Sequence, residues 1–278
     1  MRLAAAADAF RALPKTARMP VMFVGHGSPM NAIDDNTYRR TWSTLGTEFG
    51  RQHPVPKLIL CISAHWVSRG TWLTAMEHPK TIHDFGGFPQ ALFDQQYPVP
   101  GWPGAARDIQ ATLKPTAVQL DVDQWGLDHG TWSVLKPMFP SASIPVIQMS
   151  LDAGRSPSEL FALGQQLKGL RERGVLIVGS GNIVHNLRAV RRDAAPTQVY
   201  DWAQEFDAHV QGQLKRGELA ALSGFESLGS VARMAHPTAE HFWPLLVAAG
   251  AADPKEMPRF FNNSFQFASI SMRSVLWG

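Results

Sequence analysis

The chain is almost without thiols. One cysteine, Cys61, stands among 278 residues. A lone cysteine closes no internal disulfide, which excludes the stapled secreted scaffolds and fits a reducing, cytoplasmic setting. It sits in the apolar run LILCISAHW, so an inert buried thiol is expected rather than a nucleophile. Long hydrophobic runs are absent as well. None approaches the ~20 residues that span a bilayer. The N-terminal stretch MRLAAAADAFRALPKTARMP is interrupted by Asp8, Arg11 and Lys15 and lacks the continuous apolar segment of a secretory signal. Residues 1–19 read as an N-terminal extension, a short surface helix or frayed tail, ahead of one domain over 20–278. Charge of one sign is not in excess either: 26 Lys and Arg against 23 Asp and Glu leave a net charge of +3. The basic residues Arg171, Arg173, Arg188, Arg191 and Arg192 are scattered without a block. Neither nucleic acid nor a membrane is therefore expected as a partner, while a homo-oligomer is compatible with the composition. The chain has no internal repeat, no low-complexity linker and no compact metal-binding signature such as H-E-x-x-H.

What is present is an alternation. Strand-like runs fall near 20–25, 57–64, 72–77, 117–121, 144–150, 175–180 and 265–271. Helical patterns lie near 36–50, 103–114, 128–138, 157–173, 197–215 and 238–250. This order predicts a single α/β domain with a central, largely parallel or mixed sheet covered by helices. The segment PSELFALGQQLKGLRER carries an apolar stripe at Leu160, Leu163, Leu167 and Leu170. It is bounded by Ser156-Pro157 and Gly174, the expected start and stop signals. Residues 78–102 and 216–237 read as irregular, and the first is long enough to suggest a functional loop.

Ten histidines are present, and their placement is uneven. VMFVGHGSPMN delivers His26 at the carboxyl end of a buried strand, on a turn that glycine allows. LILCISAHW places His65 at the end of a second apolar strand. VLIVGSGNIVHN places His185 just past a third. In open α/β sheets this edge is where ligands bind. Three such histidines predict a metal or acid–base site at the strand-end rim. AHPTAEHFWPLL adds His241, expected in the first turn of a helix capped by Thr238. TIHDFGGFP adds His83, and WGLDHGTW adds His129, each in an aromatic, glycine-rich setting suited to substrate contact or to a loop-fixing hydrogen bond. Trp66, Trp125 and Trp132 fit a pocket wall or plain core packing. His53, His78 and His209 read as surface or structural. Imidazole suits Zn, Fe and Cu alike, so the residues alone predict a His-rich mononuclear site without choosing its metal.

Six segments in this order, GHGSPMN, SAHW, TIHDFGGFP, DHGTW, GNIVHNLR and HPTAEHFWPLL, resemble the class III extradiol ring-cleavage dioxygenases. This is the superfamily of the catalytic subunit of protocatechuate 4,5-dioxygenase, and the branch most resembled is that of the 4,5-DOPA extradiol dioxygenases. The resemblance runs from about residue 20 to the C-terminus. It implies that 20–278 is a catalytic domain, an oxidoreductase that inserts both atoms of O2 into a catechol, with L-DOPA-like compounds (4,5-cleavage) as the first substrates to consider. It implies a divalent metal held by His26, His65 and His241. His185 is implied as acid–base residue, drawn in some members as a further ligand, and His129 as a second catalytic residue lining the substrate pocket. The protocatechuate branch has a glutamate as third ligand. Here His241 takes that place, and Glu240 is expected to point elsewhere. Fe(2+) is expected for activity, because Zn(2+) cannot relay an electron, and Zn(2+) is expected in purified protein. Two other classes stand beside this reading. One is a Zn-dependent hydrolase, against which counts the lack of an obvious carboxylate base. The other is a non-catalytic relative binding a peptide in the cleft, against which counts the presence of all four central histidines.

Overall fold

The computed structural model describes residues 13–195 and 197–278. The expected α/β architecture is observed, built on an eight-stranded mixed sheet. Its strands are β1 (Val21–Gly25), β2 (Leu58–Ser68), β3 (Thr71–Thr74), β4 (Val118–Asp121), β5 (Val146–Asp152), β6 (Val175–Gly181), β7 (Arg259–Phe261) and β10 (Ser274–Trp277), and β8 (Phe265–Gln266) and β9 (Ile270–Ser271) form a separate hairpin. The order across the large sheet is β4-β3-β5-β2-β6-β1-β10-β7. Strands β5, β2, β6 and β1 run parallel, so their carboxyl ends share one rim. Every residue of β1 and β6 is buried, which is why these central strands read as unbroken apolar runs rather than alternating ones.

The main helices are α1 (Thr37–Glu48), α2 (Pro103–Thr112), α3 (His129–Met138), α4 (Pro157–Leu167), α5 (Asp201–Lys215) and α6 (Trp243–Ala251). One core cluster contains Leu160, Leu163, Leu245 and Val247 of α4 and α6 together with Val21, Leu60 and Ile177 of the sheet. The opposite cluster joins Trp42 and Leu45 of α1 and Val134 and Leu135 of α3 to Met22, Ile59 and Val178. Helices α4 and α6 approach closely at Gly164 and Gly250. A Cβ on either glycine would run into a backbone carbonyl, that of Val247 or of Phe161.

Four stretches depart from expectation. The helix foreseen over 157–173 opens with the full capping box of Ser156 and Glu159, but its last six residues tighten into a 3₁₀ turn before Gly174. The run 265–271 is not one strand. Phe267 and Ala268 take φ of 54° and 64°, and this left-handed pair folds the run into the β8–β9 hairpin. The strand that the large sheet receives is β10. The helix foreseen from Thr238 begins only at Trp243, with Pro244 in its first turn. Proline lacks an N–H and suits the first turn, where none is needed, so it fixes the start. The stretch 216–237, read as irregular, holds a 3₁₀ helix at Leu219–Leu228 and a short helix at Ser230–Ala235.

The foreseen terminal helix or tail falls largely on residues 1–12, outside the described residues. Residues 13–19 are not frayed. Leu13 and Met19 are buried, and Met19 N donates to Arg171 O at 2.8 Å. Arg171 is the staple of this region. It is fully buried, its guanidinium bonds both oxygens of Glu256 at 2.7 and 2.8 Å, and it donates to the carbonyls of Met19, Ala251 and Trp277. Truncation would strip three carbonyls of their donor and leave Glu256 only the Asp253 N–H and the more distant Arg18. Arg171→Ala is expected to cost about 3–5 kcal/mol, the usual cost of breaking a buried pair from one side, read as a lower urea midpoint at unchanged m-value.

Among the described residues, no helix is long and apolar enough to cross a membrane. Cys61 is buried, receives the Thr131 hydroxyl at 3.3 Å, and burial pushes its thiol up to about 12, so it is inert at neutral pH.

Candidate metal centre

The parallel rim brings the histidines together. His26 follows the last residue of β1, and its backbone N–H bonds Gly181 O at the end of β6. The turn that follows passes Gly27 at φ 57°, where a Cβ would strike Gln266 and Met272. Gln266 Oε1 accepts from Ser28 N and Asn31 Nδ2, and Asn31 Nδ2 also reaches His26 O at 3.0 Å. The β8–β9 hairpin thus clamps the His26 turn. His65 is not at the end of its strand, which continues to Ser68. It lies just past Ser63, where pairing with β6 stops, and the pairing with β5 shifts register between Ile62 and Val67. His185 lies four residues past β6, and its N–H donates to Ala235 O. His241 sits in the turn before α6, its carbonyl accepting from Asn182 N at 2.9 Å.

One ring nitrogen each of His26, His65 and His241 lies within 4.8 Å of the other two. The Nε2 atoms of His26 and His65 are 3.3 Å apart. The opposite nitrogen of each ring faces an oxygen. His26 Nδ1 is 3.0 Å from Ser180 Oγ, whose hydroxyl is itself spent on Gly130 O at 2.5 Å and so can only accept from His26. His241 Nδ1 is 3.1 Å from Glu240 Oε1. His65 Nδ1 is 3.3 Å from Asp84 Oδ2. Oxygens in these places draw the proton to Nδ1 and leave three bare Nε2 lone pairs. His241 Nε2 is buried without any partner, a costly arrangement unless a cation fills the gap. Burial, aided by the neighbouring rings, holds His26 and His241 well below the ordinary histidine range and takes His65 to about 3, so all three are neutral, the ligating form. The donor set therefore fits a divalent metal.

His185 stacks on His241, with ring centroids 3.5 Å apart and planes within 5°. Burial, then His236 and His129, lower it to about 3, so its resting imidazole is neutral. His129 opens α3 behind the N-cap Asp128. Its ring centroid is 3.9 Å from that of His65. Asp84 joins the two, for its Oδ2 also lies 3.0 Å from His129 Nδ1 while its Oδ1 accepts the His129 backbone N–H at 2.9 Å. Burial opposes ionisation of Asp84, yet the hydrogen bond and charge of His129 and the charge of His65 hold its carboxyl at about 2.

All five histidines line one cavity of about 390 Å³, walled by Phe85, Phe88, Phe267, Val190 and Ile270. The other expectations resolve differently. His83 is not in the lining. Its Nε2 donates to Gln95 O at 2.9 Å, the loop-fixing alternative. Trp66 and Trp125 stack on each other beside a separate cleft, and Trp132 is fully buried with its indole N–H on Ile82 O. The aromatic wall is phenylalanine instead, from the loop 78–102 and the hairpin. Glu240 turns its carboxylate to the far side of the His241 ring, away from the bare Nε2, and braces it there. Sequence reasoning passed over the braces Ser180, Asp84 and Glu240, because nothing in local spacing marks a residue that acts through another. For Asp84, the legible signal was its place beside His83 in a long aromatic loop.

His236 was also passed over. It is buried among Phe206, Phe225 and Phe242, and its Nε2 donates to Ile183 O at 2.7 Å, supporting the segment that leads to His185. Burial lowers it to about 4 against the pull of Ile183 O. Between that value and the ordinary 6.5, the unfolded chain binds a proton that the folded chain does not. Stability of the metal-free protein is thus expected to fall as pH drops through this window, by up to about 3 kcal/mol from this residue. His236→Gln should flatten that part of a urea-midpoint profile.

Residues 20–275 match the family model described as the catalytic LigB subunit of aromatic ring-opening dioxygenase. The chain is 43% identical over 271 residues to the 4,5-DOPA dioxygenase extradiol of Escherichia coli K12, covering 95% of this chain and 96% of that one. It is 35% identical over 257 residues to the protein of the same name from Beta vulgaris, covering 91% and 94%. The crystal structure of an uncharacterized E. coli K12 protein superposes with a TM-score of 0.81 at 38% identity, covering 94% of this chain and all of that one. With the match spanning nearly its whole length, the chain belongs to the LigB family of class III extradiol dioxygenases and is an aromatic ring-opening oxidoreductase.

Proposed function

We propose that this protein is a metal-dependent dioxygenase that opens the ring of a catechol, L-DOPA or a related compound, beside one hydroxyl-bearing carbon. The relatives named for 4,5-DOPA support that substrate class. The observation that carries the reading is the set of three Nε2 atoms left bare by Ser180, Asp84 and Glu240 on the far side of each ring. In this reading His26, His65 and His241 hold the ion. When bound, a divalent metal supplies a Lewis acid for the catechol oxygens and, as Fe(II), the electron relay that O2 chemistry requires.

The chain's own groups do the rest. The phenylalanine walls seat the flat ring and keep water from the reacting face. His185, neutral at rest, takes a proton from a catechol hydroxyl onto a ring nitrogen and returns it later in the cycle. His129, with Asp84 at its Nδ1, presents Nε2 toward the cavity and hydrogen-bonds a substrate oxygen. A histidine in the third ligand position carries no charge, which weakens the hold on Fe(II). The carboxylates behind His65 and His241 restore part of that basicity through the rings. A lone, inert thiol and an Fe(II) site both suit a reducing cytoplasm.

The test is metal exchange. Protein as purified is expected to carry Zn, which nitrogen sites generally prefer over Fe(II). After stripping and anaerobic reloading, the Fe(II) form should consume O2 and turn a catechol into a yellow ring-opened product. The Zn(II) form should not. Equal cleavage by an iron-free Zn form would overturn the redox requirement, and Zn-dependent ester hydrolysis without ring opening would favour a hydrolase. Against the hydrolase stands the commitment of Asp84 and Glu240 to ring nitrogens, which leaves neither free as a base.

A further inference from the structure

The cavity has a second end that the chemistry above does not use. One segment leads to it. His185, Leu187, Val190 and Arg192 all line the cavity; His185 and Val190 are half-buried, while Leu187, 65% exposed, and Arg192 are open to solvent. The segment thus joins the half-buried His185 of the histidine cluster to the solvent-open Arg192 at the cavity's edge. Arg192 is the only Lys or Arg among the described residues lining the cavity, and no described residue hydrogen-bonds or ion-pairs with it. Among the described residues, the only carboxylate in the lining is Asp84. Its Oδ1 accepts the His129 backbone N–H, and its Oδ2 lies against the Nδ1 atoms of His129 and His65. An ammonium entering this cavity meets no free anion among those residues. A carboxylate meets an uncommitted guanidinium, whose planar fork matches it in two parallel hydrogen bonds. Phenylalanine, valine and isoleucine between the two ends fit an aromatic ring and offer no competing polar anchor.

Resting on the catechol reading of the site, we propose that Arg192 is a specificity-determining residue. It selects catechols whose ring substituent ends in a carboxylate, and a side-chain amine is neither needed nor recognised. With the catechol oxygens at the histidine end, the substituent extends along Leu187 and Val190 to the mouth. The charges there are open to solvent, so the preference amounts to about tenfold, the worth of one charge-assisted pair in a half-open site, and salt weakens it.

The test is calorimetric binding to the full-length protein loaded with redox-inert Zn(II), so that turnover plays no part. The ligands are 3-(3,4-dihydroxyphenyl)propionate, L-DOPA, dopamine and 4-methylcatechol. The propionate is expected to bind about tenfold more tightly than dopamine or 4-methylcatechol, and at least as tightly as L-DOPA. Arg192→Met should bring the ratio of the propionate to 4-methylcatechol close to one, and Arg192→Glu should favour dopamine. An unchanged ratio in Arg192→Met, or an equal loss for all four ligands, would overturn the proposal. So would L-DOPA binding far more tightly than the propionate, since the amine would then be recognised. If none of the four binds, the catechol reading itself falls, a result distinct from binding without preference.

Discussion

Replacing His185 with alanine is expected to lower turnover of the Fe(II) form by about 10²–10⁴-fold, the range for losing a positioned general acid–base. Metal content should stay near that of the parent protein, whereas His26→Ala should lose both metal and activity. The contrast follows from how the two rings are held. His26 is buried, its Nδ1 is fixed by Ser180, and its Nε2 lies 3.3 Å from that of His65. A ring oriented so rigidly toward a shared point behaves as a ligand. No described side chain bonds the His185 ring. It lies flat against His241, half-exposed to the cavity, with its backbone rather than its ring anchored to Ala235. A stacked ring free at both nitrogens can turn toward a substrate oxygen and back. Parallel measurement of bound metal and single-turnover rate in the two variants decides the matter. If His185→Ala loses metal as fully as His26→Ala, His185 is a ligand first and its proton-transfer role is wrong. That outcome would place the ion nearer the second group, His185, Glu240 and His241, whose ligand atoms also lie within 4.8 Å of one another.

The parts of this site legible in the sequence are those where local pattern and position coincide. A buried strand followed by Gly-His announces His26, and the glycine-broken end of VLIVGSGNIVHN announces His185, because parallel strands place their carboxyl ends at one rim. His241 was legible as a candidate beside a helix-opening aromatic run, but its place as third ligand came only through resemblance, since its turn has no period. The expected helix start at Thr238 lost to Pro244. The braces were illegible for a different reason. Ser180 lies inside a strand that reads as core, Asp84 in an aperiodic loop, and Glu240 was legible only as a residue that does not face the metal. Each is defined by a contact made after folding, between elements 1 to 154 residues apart. The fold shows the same division. Central strands and amphipathic helices follow from hydrophobic pattern. The β8–β9 hairpin follows from two residues at positive φ, Phe267 and Ala268, whose side chains do not favour that region. The turn is held by tertiary bonds, Arg191 N to Phe267 O and Tyr200 N to Ala268 O.

Asp84→Asn is expected to cost about as much activity as removing a catalytic group, on the order of 10²–10⁴-fold, although Asp84 is assigned no bond to substrate. The carboxylate faces three nitrogens at once. Oδ1 takes the backbone of His129, and Oδ2 faces the Nδ1 atoms of His129 and His65. An amide has one acceptor oxygen and cannot serve both sides. If its oxygen keeps the His129 backbone, its NH2 faces two imidazoles and forces each to accept at Nδ1. Their protons move to Nε2, where they point at the metal position and at the substrate. If the amide turns over, its NH2 meets the backbone N–H at the start of α3, and a buried donor is left unpaired. Either orientation spoils His129 as an acceptor or displaces it. His65 suffers the same change of tautomer, so metal affinity should fall by about 10–100-fold, the usual effect of removing a group that orients a ligand. Histidine ¹⁵N shifts of the metal-free protein read the tautomers directly, and a fold-neutral change would leave them untouched. If Asp84→Asn keeps the parent shifts at His65 and His129 and yet loses activity, Asp84 acts on the substrate itself. If it keeps both shifts and activity, the carboxylate is only a loop anchor and the positioning role is wrong.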